Sequence, residues 1–414
     1  MHSAPRRRMI QTLFMSLCNV GATTDGEGEF MSIWRTLVYR CAPLTIVVLS
    51  TACSAPSQVT PNGSPGQAQA KPGVASALVS AKPPTKAEFE SWRSMIERIA
   101  KPENACLAAT YPQREWREIP CVKSPNTPLL PAHGVRGATA GDGMDFSAAV
   151  TGAVSLAQGG FQDITGVKRE YARHGKQRIP NLYSLQLNTQ FFTTESCKNL
   201  GSPDPSQCLG WEQFAYDTEQ TSGYTAGLFI EYWLVNFGPL GTSCPSGWNT
   251  FVFTGSSAVN CWINSANTIP IPVEPITSLG ELRVLGGAAH GSRSQDFAEV
   301  IVGYSDVYYV AGQNWFPDLD TQWQIAEFNV FGDSNGDQAV FNSGSTIVVR
   351  TEVDSGAAMA PACDQVGFTG ESNNLFLTGT RQRWPKDQYP SIVFTETNAA
   401  HRKQASCAPE RSRG

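Results

Sequence analysis

Two glutamates stand in strongly apolar stretches of the chain, where a carboxyl group is a candidate for acid–base chemistry. Alternation of side chains along an extended strand puts Glu231 on the same face as Phe229 and Trp233. It likewise puts Glu327 on the same face as Trp323. A carboxylate among apolar side chains costs several kcal/mol unless it is paired, hydrogen-bonded or protonated. Two such groups in one cleft would share a proton, which suits the activation of water.

The two glutamates also have a structural interpretation. Each would then lie at the rim of a sheet, where its carboxylate bonds a nearby arginine or a backbone amide. The residues alone leave both interpretations open.

The segments that must position these residues have the pattern of an all-β domain. Only 16% of the 414 residues are charged, and the chain holds 37 Gly and 27 Pro. From residue 103 onward, short apolar runs alternate with turn residues and no helical period intervenes, which predicts a β-sandwich or jelly roll over 103–400. We expect strands at residues 181–192, 211–216, 227–237, 249–253, 282–285, 297–304, 307–310, 322–331, 345–353 and 392–396.

One short helix is predicted ahead of the strands, at residues 85–101. Thr85 and Glu88 have the spacing of a capping box, and Phe89, Trp92 and Ile96 form an apolar stripe at helical spacing. The stripe predicts that this helix packs on the sandwich. A remnant of a pro-segment is the alternative.

The N-terminal region has the organisation of an exported protein. Residues 31–52 combine basic residues, an apolar run at 42–49 and small residues before Cys53. The small residues and Cys53 resemble a bacterial lipobox, so we expect a signal peptide at 31–52 and lipidation of Cys53, with plain cleavage nearby as the alternative. Because Met31 opens a complete signal, we expect residues 1–30 to precede the true start. Residues 53–84, rich in Pro, Ala and Ser, are expected to form a disordered, flexible tether.

Eight cysteines remain when Cys18, Cys41 and Cys53 are set aside. An even number suits disulfides in an oxidising compartment. Neighbouring cysteines lie close along the chain, which favours local pairs. We therefore expect the disulfides Cys106–Cys121, Cys197–Cys208, Cys244–Cys261 and Cys363–Cys407, the last of which reaches a basic tail at 401–414.

Several kinds of site have no motif in this sequence. There is no Cys-x-x-Cys or His-x-x-x-His spacing for a metal, no Gly-x-Ser-x-Gly for a serine nucleophile and no phosphate-binding Gly-x-x-x-x-Gly-Lys. A net charge of -5 and a pI near 5.6 leave no basic surface for a nucleic acid. We expect no metal, no cofactor and no nucleic-acid partner.

Residues 326–328, Ala-Glu-Phe, are followed by an apolar strand, an acidic turn and a return strand. This segment resembles the one that bears the catalytic Glu in the glutamic peptidases of the eqolisin family. The resemblance extends over residues 181–353. It implies an acid protease with a concanavalin-like jelly-roll fold, and it places Glu327 at the position of the catalytic Glu.

A second segment resembles the same family. Trp211 and Asp217, followed by Leu-Phe-Ile-Glu at 228–231, are similar to the family's Trp, Asp and the strand that ends in its catalytic Gln. Glu231 stands at that Gln position, and a related plant branch of glutamic peptidases is thought to work with two Glu. The segments outside 181–353 look like those of uncharacterised secreted bacterial proteins.

The resemblance implies an exported acid endopeptidase with a polypeptide substrate. Glu327 would act as the general base on a water molecule, and protonated Glu231 would donate a hydrogen bond to the substrate carbonyl. Trp211 and Trp233 would form apolar walls of the substrate site, with Asp217 beside them. We expect a monomer that is attached to the membrane through its lipid anchor, as an outer-membrane lipoprotein, periplasmic or extracellular.

Two other classes of function fit the same residues. A carbohydrate-active or carbohydrate-binding sandwich would bracket a glycosidic bond with the two glutamates. The Glu-x-Asp-x-x-Glu run of many jelly-roll glycosidases is absent, however. A non-catalytic envelope lipoprotein or binding module would use both carboxyl groups structurally.

Overall fold

The apolar strands of the chain pair into two sheets that pack face to face. In this computed structural model the described residues are 83–102, 106–134, 138–174, 177–221, 225–288, 295–357, 359–378 and 389–399. All of them belong to the unit that begins at Leu78. The predicted start, signal peptide and lipidation site Cys53 lie outside the described residues, as do the tether up to residue 82 and the basic tail.

Twenty-three strands occur in the described part of the chain. They are β1 (Cys106–Thr110), β2 (Arg117–Glu118), β3 (Val122–Lys123), β4 (Thr139–Gly141), β5 (Ser147–Ala149), β6 (Leu156–Thr165), β7 (Glu170–His174), β8 (Gln177–Pro180), β9 (Ser184–Thr189), β10 (Leu209–Thr221), β11 (Thr225–Pro239), β12 (Asn249–Phe251), β13 (Ala258–Asn264), β14 (Asn267–Pro272), β15 (Leu282–Gly287), β16 (Phe297–Val302), β17 (Asp306–Ala311), β18 (Ile325–Phe331), β19 (Gln338–Phe341), β20 (Thr346–Asp354), β21 (Ala362–Asp364), β22 (Ser372–Thr378) and β23 (Ser391–Thr397). The helices are α1 (Lys86–Ile96), α2 (Glu195–Asn199) and α3 (Leu319–Gln322), with a 3-10 turn at Ile276–Glu281.

The strands form one sheet of thirteen and one of ten, counted over the described residues. The thirteen-stranded sheet has the order β2-β1-β17-β16-β15-β6-β20-β23-β22-β19-β7-β8, and β4 pairs with β22. The ten-stranded sheet has the order β12-β13-β11-β10-β9-β18-β5-β21, and β14 joins it through β11 and in turn pairs with β3. Nearly all neighbours are antiparallel, which lets the two faces of a sheet differ in polarity.

The core lies between the sheets and is closed by aromatic rings from the ten-stranded sheet. The Phe328 ring covers Gly159 of β6, and the Phe214 ring covers Gly286 of β15 so closely that an added Cβ atom would overlap each ring. These contacts define the inner face of the ten-stranded sheet, and alternation puts the intervening side chains on its outer face. The predicted all-β sandwich is confirmed.

Helix α1 covers the far side of the thirteen-stranded sheet. Its Thr85 capping box is present as predicted, and Phe89, Trp92 and Ile96 pack on that sheet beside Leu285. The helix ends at Ile96, five residues before the predicted end. No helix of the described ranges is both long and apolar enough to span a membrane.

Three of the four predicted disulfides are confirmed. The Cα–Cα distances are 5.5 Å for Cys106–Cys121, 5.9 Å for Cys197–Cys208 and 5.6 Å for Cys244–Cys261. All three lie within the range that disulfide geometry requires. The fourth pair, Cys363–Cys407, cannot be compared because Cys407 lies outside the described residues.

Each of the ten predicted strands overlaps an observed strand, but the other thirteen strands of the described residues were not predicted. Residues 322–324 are not strand, because α3 ends at Gln322 and β18 begins at Ile325. The pattern also did not indicate α2, whose first turn is capped by the Thr194 hydroxyl at 3.1 Å from the Ser196 amide. A helix of five residues is too short to show an apolar period.

The contact between Gly159 and Phe328 yields a test of the core. A Cβ atom at Gly159 would lie 1.8 Å from the Phe328 ring, whereas one at Gly152 would meet only the Ser355 carbonyl at 3.8 Å. We expect Gly159→Ala to lower the free energy of unfolding by about 1–3 kcal/mol, because overpacking forces the ring to move. Urea unfolding measures the change. An equal or smaller loss than in the control Gly152→Ala would contradict this packing.

Candidate functional site

The strand register aligns four polar side chains in one row across the outer face of the ten-stranded sheet. Glu231 on β11 stands opposite Gln213 on β10, and Gln213 stands opposite Asn188 on β9. Asn188 in turn stands opposite Glu327 on β18. All four side chains are buried. We call Glu231, Gln213, Asn188 and Glu327 the polar row.

Glu231 is held by hydrogen bonds to one of its two carboxyl oxygens. Its Oε1 accepts from the Trp233 indole at 2.6 Å and from the Leu129 amide at 2.9 Å. The Gln213 amide has two possible orientations: in one its nitrogen donates to Gln186 Oε1 at 3.2 Å, and in the other it donates to this same Glu231 oxygen at 3.2 Å. Oε2 is buried without a partner. One carboxyl oxygen is therefore fully engaged and the other is unused, a pattern that is uncommon for a buried polar group.

Glu327 has a similar environment at the other end of the row. Its Oε2 accepts from Asn188 Nδ2 at 3.0 Å and from the Phe368 amide at 2.9 Å, while its Oε1 is buried without a partner. Gly367 approaches so closely that an added Cβ atom would lie 2.9 Å from Oε1. A side chain at position 367 would therefore displace the carboxyl group.

The structure places both predicted glutamates on one face but does not bring them into contact. They lie three strands apart, which at about 4.8 Å per strand separates their α-carbons by roughly 14 Å. The carboxamides of Gln213 and Asn188 lie between them. Sequence analysis did not single out Gln213, although alternation from Trp211 already placed it on this face.

Two segments without regular structure cover the row. The first covering segment, residues 125–131, lies over Glu231, and the second, residues 366–371, lies over Glu327. The second segment contributes a third buried carboxyl group, Glu371, whose Oε1 accepts from the Leu130 amide at 2.8 Å and from the Gly336 amide at 3.0 Å. Glu371 stands just before β22 in a segment with no periodic pattern, so no sequence pattern indicated it.

The predicted substrate-site residues lie near the same face. Trp211 and Trp233 have ring centroids 6.4 Å apart, and both rings belong to an apolar cluster with Trp262 and Phe368. The Trp211 indole donates to the Thr189 carbonyl at 2.9 Å. Asp217 is buried further along β10. Both indole rings are covered, so no side of them is open to solvent.

Burial dominates the electrostatics of these carboxyl groups. It raises the pKa of Glu327 from 4.5 to about 7, although hydrogen bonds from Asn188 and the Phe368 amide act in the opposite direction. It also raises the pKa values of Glu231 and Glu371, and the negative charge of Glu371 raises that of Glu231 further. The hydrogen-bond donors to all three carboxyl groups are neutral. Burial therefore shifts all three carboxyl groups toward the protonated form.

The arrangement is suited to acid–base chemistry on a polypeptide. Within the described ranges, no group of three or more His, Cys, Asp or Glu side chains has the geometry to hold a metal ion. The carboxyl groups of Glu231, Glu327 and Glu371 accept hydrogen bonds from backbone amides. No family model matches the chain, and neither a curated protein nor a solved structure is significantly similar to it.

Buried carboxyl groups also make the stability of the fold depend on pH. Burial raises the pKa of Glu170 on β7, which is outside the row, from 4.5 to about 9. The unfolded chain releases this proton near pH 4.5 and the folded chain only near pH 9. The unfolded state is therefore favoured progressively across that interval. Each pKa unit corresponds to about 1.4 kcal/mol, so the loss amounts to several kcal/mol.

We expect the urea midpoint of the natural chain to fall as the pH is raised from 4.5 to 9. Glu170→Gln, a nearly isosteric change that removes the ionisable group, is expected to make that fall smaller. Unfolding curves at pH 4, 6 and 8 for both proteins provide the measurement. A midpoint that rises with pH, or an identical fall in the variant, would show that this carboxyl group does not retain its proton.

Proposed function

We propose that the chain is an exported acid endopeptidase of the glutamic-peptidase type, and that the polar row is its catalytic site. The observation that carries the proposal is that the row contacts both backbone groups of one residue of the first covering segment, Leu129. Glu231 Oε1 accepts from the Leu129 amide at 2.9 Å, and the Gln213 amide, when its nitrogen is turned toward the segment, donates to the Leu129 carbonyl at 3.1 Å. A face that holds a main chain through its own peptide groups is suited to a polypeptide substrate.

The same contacts favour particular roles within the row. Peptide hydrolysis needs a donor about 3 Å from the carbonyl oxygen and a base within reach of the attacking water. Gln213 and Glu231 stand directly opposite each other and contact the backbone of the same residue, Leu129, on the two peptide bonds that flank its α-carbon. In this proposal Gln213 donates to the carbonyl and Glu231 is the base. Glu327 holds the second covering segment through the Phe368 amide instead of acting as the base.

The proposed reaction is a hydrolysis in two steps. Glu231 takes a proton from water as the water oxygen bonds to the carbonyl carbon, and the resulting oxyanion accepts the hydrogen bond from Gln213. The carbon–nitrogen bond then breaks, and the nitrogen receives a proton from a carboxylic acid of the site. A Gln and a Glu are also the residue types of the family's dyad. Here they are Gln213 and Glu231 instead of the positions matched by sequence.

Glu231 must be ionised at acidic pH to act as the base, and the first covering segment affects the pKa of this carboxyl group. Burial is the largest cause of the raised pKa of Glu231. Departure of the segment would admit water, reduce this effect and let Glu231 ionise at a lower pH.

Export, lipidation at Cys53 and attachment to a membrane remain part of the proposal. A carbohydrate-active or non-catalytic sandwich is the outcome if no peptide bond is cut.

Digestion of an acid-denatured protein by the purified full chain at pH 3–6 tests the proposal. We expect Glu231→Gln to reduce kcat/KM by about 100-fold or more, because the base is lost. Gln213→Leu should cause a loss of about 100-fold, mainly in kcat, because the carbonyl donor is lost. Glu327→Gln should retain most of the activity.

Glu170→Gln is the matched control, since it also replaces a buried carboxyl group with a raised pKa but lies outside the row. It is expected to digest the substrate at the natural rate. If Glu327→Gln abolishes digestion while Glu231→Gln retains it, the assigned roles are wrong. Absence of digestion by every form of the chain would rule out the peptidase.

A further inference from the structure

The first covering segment is bound to the rest of the fold mainly through its backbone. The Leu129 amide and carbonyl bond Glu231 and Gln213, and the Leu130 amide bonds Glu371 at 2.8 Å. The Leu130 carbonyl accepts from the Gly370 amide at 2.6 Å. Recognition through consecutive peptide groups does not depend on the side chains of the bound segment.

The flanks of this segment are bound in the same way. The Asn264 side chain donates to the Pro125 carbonyl at 3.1 Å, and the Asn335 amide donates to the Pro128 carbonyl at 2.9 Å. Pro131 forms an isolated β-bridge with Thr369. The chain thus crosses the outer face of the ten-stranded sheet from β13 past β11 and β10 to the second covering segment.

One side chain of the segment is anchored in a pocket. Leu129 is fully buried in a cluster with Ala215 and Phe229, which stand opposite each other on β10 and β11. Leu130 is half-buried and packs against the tryptophan cluster that contains Trp211 and Trp233. The face therefore provides a closed apolar pocket for one residue and an apolar wall for the next.

We infer that residues 125–131 occupy the substrate cleft as an intramolecular peptide ligand, and that the cleft selects extended polypeptides with a branched apolar residue at the position of Leu129. The catalytic meaning of this inference rests on the proposed function. The binding itself does not, since it follows from the contacts of the segment.

The position of the Leu129–Leu130 bond agrees with this inference. Gln213 contacts the carbonyl oxygen of this bond, and Glu371 contacts its nitrogen. A substrate in the same position would present its leaving nitrogen to Glu371, which makes Glu371 the acid that protonates the nitrogen as the bond breaks. Glu231 and Gln213 are fully buried beneath the segment, so a substrate must displace it.

Displacement of the segment is tested with a fluorescent heptapeptide of sequence Pro-Asn-Thr-Pro-Leu-Leu-Pro, which copies residues 125–131. Leu129→Asp places a charge in the apolar pocket beside Glu231, and Leu129→Ala removes most of the anchoring side chain. We expect both full-chain variants to bind the peptide at least ten-fold more tightly than the natural chain, as measured by anisotropy. The Leu129→Ala variant is used for this measurement if the Leu129→Asp variant does not fold.

Two controls isolate the anchor. Leu240→Asp makes the same substitution at an exposed leucine and should bind the peptide no better than the natural chain. A heptapeptide with Asp in place of its first Leu should bind at least ten-fold more weakly to the Leu129 variants. The inference is overturned if a folded Leu129 variant gains no affinity, or if the two peptides bind equally well.

Digestion assays on the same variants separate this inference from the proposed function. If the variants bind the peptide but cut no protein at pH 3–6, the inference is supported and the proposed peptidase activity is ruled out. If the natural chain digests protein as fast as both Leu129 variants, the peptidase activity is supported, but residues 125–131 do not inhibit it. Faster digestion by the variants, or self-cleavage after Leu129 detected by mass spectrometry, supports both.

Discussion

A carboxyl group that is buried without a cation must keep its proton or be surrounded by neutral donors, and the outer face of the ten-stranded sheet depends on this constraint. Strand backbones cannot supply the donors, because their amides already bond neighbouring strands. Glu231 and Glu327 therefore draw backbone donors from chain that lies above the sheet, at Leu129 and Phe368. The covering segments and the glycine at position 367 follow from that need.

The other face of the molecule buries a carboxyl group differently. Glu299, on β16 beneath α1, lies 3.8 Å from Arg93 and 3.6 Å from Lys101. Its pKa is nevertheless raised to about 8, because burial and the nearby charge of Glu97 outweigh the two cations. The carboxyl groups of the polar row have only neutral donors, and burial raises their pKa values as well. In both places burial outweighs the groups that favour the charged form.

Sequence periodicity predicted the faces around Glu231 correctly, but it wrongly put Trp323 on the face of Glu327: Trp323 lies before β18 and packs on Phe214 in the core. It also carried no information on register. Alternation alone placed Glu231 with Trp233 and put Gln213 on the face of Trp211. Which residues stand opposite depends on how β10 and β11 pair, and this is fixed by the hairpin between them and by the packing of whole sheets. The local disulfides were predictable because short loops hold their ends close together. Glu371 was not predictable, since it reaches the row only through a covering segment whose path no local pattern encodes.

Register also changes what the pH dependence of the proposed chemistry would report. In a pair of two carboxyl groups, the donor and the base both titrate, and the observed pKa values belong to the pair. A carboxamide donor does not titrate, so Gln213 keeps its hydrogen bond to a carbonyl at every pH at which the fold persists. The acid limb then belongs to ionisation of Glu231, and the alkaline limb belongs to loss of the proton from Glu371 together with the fold's own loss of stability. Because the covering segment contributes to the burial that raises the pKa of Glu231, binding of the segment and ionisation of Glu231 oppose each other. If Glu231 is the base, as proposed, release of the segment and activation of the site would be one equilibrium.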